Sequence, residues 1–163
     1  MEIRTALPSD LPEMLEIYNY EVKNGTATFD LTEKTPEERK IWFDAHNREN
    51  HPLLVACEGG RVLGYASLSS YREKQAYAGT VELSVYVAPA CRGRGVGTAL
   101  MQAILALAKE DRRTHTVISV ITQGNAQSVR LHERFGFSYS GTLHEVGYKF
   151  GKYLDVENYE LKV

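Results

Sequence analysis

Six residues, Arg92-Gly-Arg-Gly-Val-Gly97, carry the clearest chemical signal in the sequence. They follow a strand-like run, Thr80 to Val87, and lead into an amphipathic helical pattern with Val96, Leu100, Ile104 and Leu107 facing inward. Glycine lets a backbone approach a ligand closely, and the first turn of a helix offers free N–H groups at the positive end of its dipole. Together these make an anion site, most often for phosphate, and Arg92 and Arg94 add charge to it. A Walker A loop needs lysine before Ser/Thr, and Gly97-Thr98 has none. A dinucleotide fingerprint sits tight against its strand with an acid closing the next one. Here the glycines stand several residues beyond Val87, and the next strand ends in Ile121-Thr122. The spacing R-x-x-G-x-G of a coenzyme A pyrophosphate loop is met by Arg92, Gly95 and Gly97. A flexible turn capping a helix is the plain alternative.

Two further side chains suit proton transfer. Strand alternation puts Val81, Leu83, Val85 and Val87 on one face and Glu82, Ser84 and Tyr86 on the other. Glu82 is then either a carboxylate inside the sheet, near the end of any ligand held by the glycine turn, or an edge-strand glutamate in water. On a helix starting at Asn125, Ser128 and His132 fall three and seven residues on, so the three share a face. A lone helical histidine is either structural or a site residue. The loop Arg72-Glu-Lys74-Gln-Ala-Tyr77 supplies a guanidinium able to grip a carboxylate or phosphinate through two bonds, and a lysine point charge. Tyr77 and Phe29 are candidate walls of a substrate pocket, and Lys149 is a further cationic candidate. A solvated basic surface is the alternative for each.

These groups need elements to hold them. The first strand is read over Glu2 to Ala6, and Ser9 or Asp10 is read as the cap of a helix with Leu11, Met14, Leu15, Ile17 and Tyr18 on one stripe. Asn24-Gly25 ends it. Thr35-Pro-Glu-Glu38 is a helix start with threonine as cap and glutamate bonding back. Gly59-Gly60 separates the strands of a hairpin, Leu53 to Cys57 and Arg61 to Leu68. A loop over Ser69 to Gly79 precedes the strand carrying Glu82. After the glycine turn and its helix come a short buried strand, Val117 to Ile121, the Asn125 helix, and strands around Ser138 to Thr142 and Tyr153 to Leu161. The order β, α, α, β, β, β, α, β, α, β, β describes one mixed α/β domain over residues 1–163.

With these motifs in place, the chain resembles the GNAT superfamily of N-acetyltransferases over nearly its whole length. The glycine turn is similar to that superfamily's main cofactor motif. Asn125-Ala-Gln-Ser128-Val-Arg-Leu-His132-Glu-Arg-Phe-Gly136-Phe137 resembles its second. Within it, the phosphinothricin and methionine-sulfoximine acetyltransferases are the most similar branch. Thr26-Ala-Thr-Phe29, Ala76 to Val87 and Val146-Gly-Tyr-Lys149-Phe-Gly-x-Tyr-Leu-Asp155 carry that closer match. The resemblance implies a central, splayed, mostly antiparallel sheet flanked by helices, opening between the strand before the glycine turn and the strand after its helix. It implies acetyl-CoA as co-substrate. Val85, Tyr86 and Val87 would bond the pantetheine arm, Arg92, Gly93, Arg94, Gly95, Val96, Gly97 and Thr98 would hold the pyrophosphate, and Asn125, with Ser128 beside it, would hold the pantetheine again.

Acetyl transfer to nitrogen requires an uncharged amine, so a base must take one proton and the departing thiolate must be stabilised. The resemblance puts Glu82 at the base position. It puts His132 where the wider superfamily has tyrosine and this branch has histidine, as donor to the thiolate or as a group that orients the amine. The expected acceptor is the α-amine of a small amino-acid-like molecule, with a site near a homodimer interface. The alternatives are protein N-termini, lysines or polyamines as acceptors, or a non-catalytic coenzyme A sensor.

Composition bounds the remaining classes. The chain has 163 residues, 43% hydrophobic and 25% charged, with a formal net charge of −2. These values suit a globular protein and give no global basic field for nucleic acid. No apolar run approaches a membrane span, and the N-terminus lacks an apolar signal core. Cys57 and Cys91 lack metal-ligand spacing, the five histidines are scattered, and no Cys-His nucleophile signature surrounds Cys91. Reduced thiols in a cytoplasm, no metal, and neither nucleic acid nor membrane as partner are the expectations.

Overall fold

The computed structural model describes residues 1–163. In chain order the elements are β1 (Glu2–Thr5), α1 (Leu11–Asn24), α2 (Pro36–Asp44), β2 (Leu53–Glu58), β3 (Arg61–Ser70), β4 (Thr80–Val87), α3 (Val96–Glu110), β5 (Thr116–Thr122), α4 (Ala126–Arg134), β6 (Ser138–Lys149) and β7 (Lys152–Lys162). The strands form one sheet in the order β1-β2-β3-β4-β5-β7-β6. Every neighbouring pair is antiparallel except β4 with β5.

Alternation along β2 explains how the sheet is covered on both faces. Leu54 and Ala56 pack with Leu100, Met101 and Ile104 of α3, while Leu53, Val55 and Cys57 pack with Met14, Ile17 and Val22 of α1. Each of the leucine, isoleucine, valine and methionine side chains among these stabilises the fold by about 1.5–3 kcal/mol through its burial. Met101 and Ile104 are fully buried; Leu107, expected to face inward, is 39% exposed on the outer side of α3.

Two helix starts show different chemistry. At α2, Glu38 N–H donates to Thr35 Oγ1 at 3.2 Å, and Thr35 N–H donates to Glu38 Oε2 at 2.9 Å, the reciprocal cap its sequence predicts. At α1 the expected cap is absent. Asp10 instead accepts from Leu7 N–H at 2.7 Å and from Arg4 at 2.7 and 2.9 Å, fastening β1 to the helix entry. The Arg4 guanidinium is the main reason its carboxyl is held below its ordinary range.

The decisive feature for the site is the junction of β4 and β5. These strands pair at only three positions, Thr80 with Thr116, Val81 with Val117, and Glu82 with Ile118. Both then run on, to Val87 and Thr122, without pairing with each other. The sheet therefore opens into a wedge whose walls are backbone with unsatisfied hydrogen-bonding groups. Gly64 of β3, opposite Val87, sits hard against the outer wall of that wedge. A Cβ there would lie 2.7 Å from Tyr86 O.

β6 is longer than the sequence suggests. It continues past Thr142 to Lys149, because register shifts at Tyr139/Gly141 and Leu143/Gly147 break the alternation that marks a strand. β3 likewise extends to Ser70, and a short 3-10 turn, Gln75–Tyr77, interrupts the loop before β4.

Candidate active site

The glycine turn has the backbone geometry an anion site needs. Gly93 and Gly95 adopt φ of +75° and +80°, and a Cβ on either would meet open space, so conformation and not crowding selects glycine there. Gly95 opens α3 without a side-chain cap bond, leaving the first-turn N–H groups of α3 for a ligand. Its two arginines are held from below. Arg92 pairs with Glu21 of α1, and Arg94 Nη2 lies 2.7 Å from Glu58 Oε2 at the end of β2.

A cleft of about 880 Å³ starts at this turn and fills the wedge. Among the residues singled out from the sequence, it is lined by Val85, Tyr86, Val87, Arg92, Gly93, Gly95, Val96, Gly97, Thr98, Asn125, Ser128 and His132. Asn125 caps α4 by accepting from Ser128 N–H at 3.1 Å, which fixes the rim. Arg94 is absent from the lining. The cleft fits an extended chain ending in a diphosphate: strand edge left unpaired across the wedge, free N–H groups at the start of α3, and Arg92, Arg130 and Arg134 in its lining.

A second cleft, of about 850 Å³, lies on the other side of β4. Glu82 opens into it, and Ser84 and Tyr86 line both clefts. β4 is the fourth of seven strands, so Glu82 is no edge-strand glutamate. Its carboxylate is half-buried, no side chain hydrogen-bonds to it, and burial raises its pKa above the ordinary range. Its cross-strand neighbour is Ser69, whose hydroxyl lies 2.8 Å from His46 Nε2.

His132 is buried against the edge of Phe137, with ring centroids 5.0 Å apart. Its Nδ1 lies 2.7 Å from Ser128 O, a carbonyl that only accepts, so Nδ1 carries the proton. Nε2 is then an acceptor, 2.9 Å from Ser119 Oγ. Desolvation lowers its pKa and keeps this neutral form. In this state neither nitrogen has a proton free for a leaving group. Ser119, at the first position of β5 beyond its pairing with β4, is a site residue the sequence did not single out. A serine in an apolar run gives no signal until its partner histidine is placed.

The expected substrate residues fall outside both clefts. Arg72 is exposed, its guanidinium 5.1 Å from the Tyr71 ring and 5.8 Å from the Tyr77 ring, and Lys74 is exposed on the same loop. Phe29 packs onto Gly147 so closely that a Cβ there would overlap the ring. Lys149 is buried, with Nζ donating to Thr28 O at 2.9 Å and Glu21 O at 3.3 Å. That lysine fastens the 25–30 loop, which Thr122 Oγ1 also grips through Thr26 O at 2.6 Å.

Fold, wedge and glycine turn together define a class: the chain belongs to the acetyltransferase (GNAT) family, whose model matches residues 14–137, and it is an N-acetyltransferase. Its relatives give more detail. It is 43% identical to the L-methionine sulfoximine/L-methionine sulfone acetyltransferase of Pseudomonas paraeruginosa, over 99% of this chain and 94% of that protein. The structure of the ribosomal-protein-alanine N-acetyltransferase of Brucella melitensis superposes with a TM-score of 0.96 at 40% identity, covering 100% of both chains. That of a phosphinothricin acetyltransferase of Sinorhizobium meliloti, in complex with acetyl-CoA, superposes at 0.94 with 32% identity, over 99% of this chain and 88% of that one.

Proposed function

We propose that the protein transfers acetyl from acetyl-CoA directly to the α-amine of a small amino-acid-like acceptor such as methionine sulfoximine or phosphinothricin. The observation that carries this is the arrangement around β4. A wedge suited to an extended thioester lies on one side, a cleft holding an uncompensated carboxylate lies on the other, and the two meet at Ser84 and Tyr86. Acetyl-CoA supplies the activated acyl group. Val85 to Val87 offer backbone bonds to its pantetheine, Gly93 to Thr98 with Arg92 and Arg94 bind its diphosphate, and Asn125 and Ser128 line the opposite wall.

Glu82 takes a proton from the ammonium, directly or through a water, and its raised pKa makes it a better acceptor than an exposed glutamate. His132 acts as a positioning residue, holding the Ser119 hydroxyl at the fork of the wedge. Arg72, Lys74, Tyr77 and Phe29 act on substrate selection from loops outside the two clefts, and Lys149 does so by fixing the loop that carries Phe29. The protein works as a homodimer in the cytoplasm. Leu143, Val146, Tyr148, Phe150 and Tyr153, all more than half exposed on the β6–β7 hairpin, support a second copy there.

Thiol release from acetyl-CoA, followed with a panel of amino-acid analogues, tests this reading. Release that rises with an amino-acid-like amine supports it. Release only with peptides bearing an N-terminal alanine would favour a protein acceptor, as the name of the Brucella protein suggests. Tight acetyl-CoA binding without transfer to any amine would mark a sensor.

A further inference from the structure

Arg39, on α2, is a buried arginine without an anion. It is 6% exposed, it lines the cleft that holds Glu82, and no carboxylate of the chain lies within 4.0 Å of its nitrogens. Its guanidinium carbon lies 4.0 Å from the centroid of the Tyr18 ring and 3.6 Å from that of Trp42. Two rings that close cannot share one face of the group, so both faces are covered and only its edge remains for hydrogen bonds. Along that edge the fold uses one donor: Nη2 donates to Tyr65 OH at 3.0 Å. Nε is fully buried with no partner, the one such side-chain atom in the protein. Nη1 has no protein partner either and, unlike Nε, is not closed off, so it is the donor left open to the cleft. Burying a guanidinium and leaving its N–H groups unmet is expensive, and structures do it where a ligand completes the set.

The acids around it are otherwise engaged. Asp30 accepts from Tyr18 OH and lies 3.7 Å from Lys34, and Glu38 closes the α2 cap. Glu82 stands on β4, opposite Ser69 on β3, four residues along from the Tyr65 that holds Arg39. His46, seven residues after Arg39 on the same side of the cleft, bonds Ser69. The cleft thus runs along β3 with a guanidinium toward one end and a base toward the other.

We propose that Arg39 is the anion anchor of the acceptor site: its open edge takes an oxyanion of the acceptor while Glu82 faces the amine. This rests on the reading of the second cleft as the acceptor cleft. The chemistry recognised is a carboxylate-like oxyanion, either the α-carboxylate or a side-chain phosphinate. An amine lacking any such group binds there weakly.

The test compares wild type, R39K and Y65F with four acceptors: methionine sulfoximine, phosphinothricin and the α-carboxamide of each. In R39K, which keeps charge but loses the planar fork, KM for the acids rises on the order of tenfold or more. Its kcat stays within about threefold, and KM for methionine sulfoximine carboxamide, which carries no anion, scarcely moves. A loss shared by both acids and absent from both carboxamides assigns the α-carboxylate. A loss confined to phosphinothricin and its carboxamide assigns the side-chain oxyanion. Equal effects on acids and carboxamides, or none on either, overturn the proposal and leave Arg39 as a packing residue. If R39K melts before assay, Y65F decides by the same acid-selective KM change of a few fold, since it removes only the bond that orients the fork. If wild type acetylates none of the four, the reading of the reaction fails. Calorimetric titration of phosphinothricin and of methionine sulfoximine carboxamide, which carries no anion, into the coenzyme A-loaded wild type and Y65F then tests the anchor alone: weaker binding of the anion-free ligand to wild type, with a smaller difference in Y65F, is expected, and equal binding of the two ligands refutes it.

Discussion

Replacing Gly64 by alanine tests the link between sheet packing and the wedge. Gly64 sits within β3, where alanine normally improves a strand by about 0.5–1 kcal/mol over glycine, so a generic substitution would stabilise. The structure demands the opposite sign. The added methyl would stand 2.7 Å from Tyr86 O and 3.2 Å from both Val87 Cα and Val96 Cγ1, where ordinary contact begins near 3.4 Å. Two of those atoms are backbone, so the end of β4 must retreat by several tenths of an ångström. Overpacking of this kind costs about 1–3 kcal/mol, or roughly 3–10 °C in melting temperature for a chain of this size. The displaced segment is the one assigned to the pantetheine, so KM for acetyl-CoA rises severalfold while KM for the acceptor changes less. Thermal melting and initial-rate kinetics on G64A measure both. An unchanged or higher melting temperature with an unchanged KM for acetyl-CoA would refute the argument that this glycine shapes the wedge.

Other substitutions separate the remaining roles. Glu82→Gln lowers kcat by about a hundredfold or more while acetyl-CoA binding, followed by titration, is retained. It also removes the acid limb of the kcat/KM profile, because wild-type activity falls as pH drops through a Glu82 pKa that lies above the ordinary carboxylate range. A raised folded-state pKa means the ionised carboxylate costs stability at neutral pH, so E82Q melts no lower than wild type at pH 7. Gly95→Ala meets no side chain but must hold φ near +80°, which costs about 1–2 kcal/mol; denaturant melts and KM for acetyl-CoA both report it. Lys149→Met leaves Thr28 O without its partner and loosens the 25–30 loop, destabilising the fold by about 1–3 kcal/mol and increasing proteolysis between Asn24 and Asp30.

Much of this molecule can be read from local patterns. The bounds of β4, the α2 capping box and the Asn125 cap follow from residues within one turn or strand of each other, and each is found in place. β6 escaped because its bulges destroy the period-two signal and because Leu143, Val146 and Tyr148 are all exposed. The Asp10 cap failed for a related reason: Arg4, six residues upstream, competes for the carboxylate. The site splits the same way. The glycine turn and the 125–132 helix are local motifs, and they do line one cleft. Arg39 was illegible because its setting is assembled from Tyr18 on α1, Trp42 on α2 and Tyr65 on β3. In the sequence it is one charge within Glu37-Glu38-Arg39-Lys40, indistinguishable from a solvated helix surface. Arg72 and Lys74 show the converse. Their charge and position before β4 are conspicuous in the sequence, yet the loop carries them away from both clefts.

The brevity of the contact between β4 and β5 also has a mechanical meaning. Four strands on one side and three on the other are joined within the sheet by three register pairs, so the protein resembles two leaves on a short hinge. Anything that lays a polar spine down the gap adds rungs to both leaves at once, and its binding energy tightens the whole sheet. The ligand of the wedge therefore doubles as a girder, and the unliganded leaves should breathe most where that girder is missing.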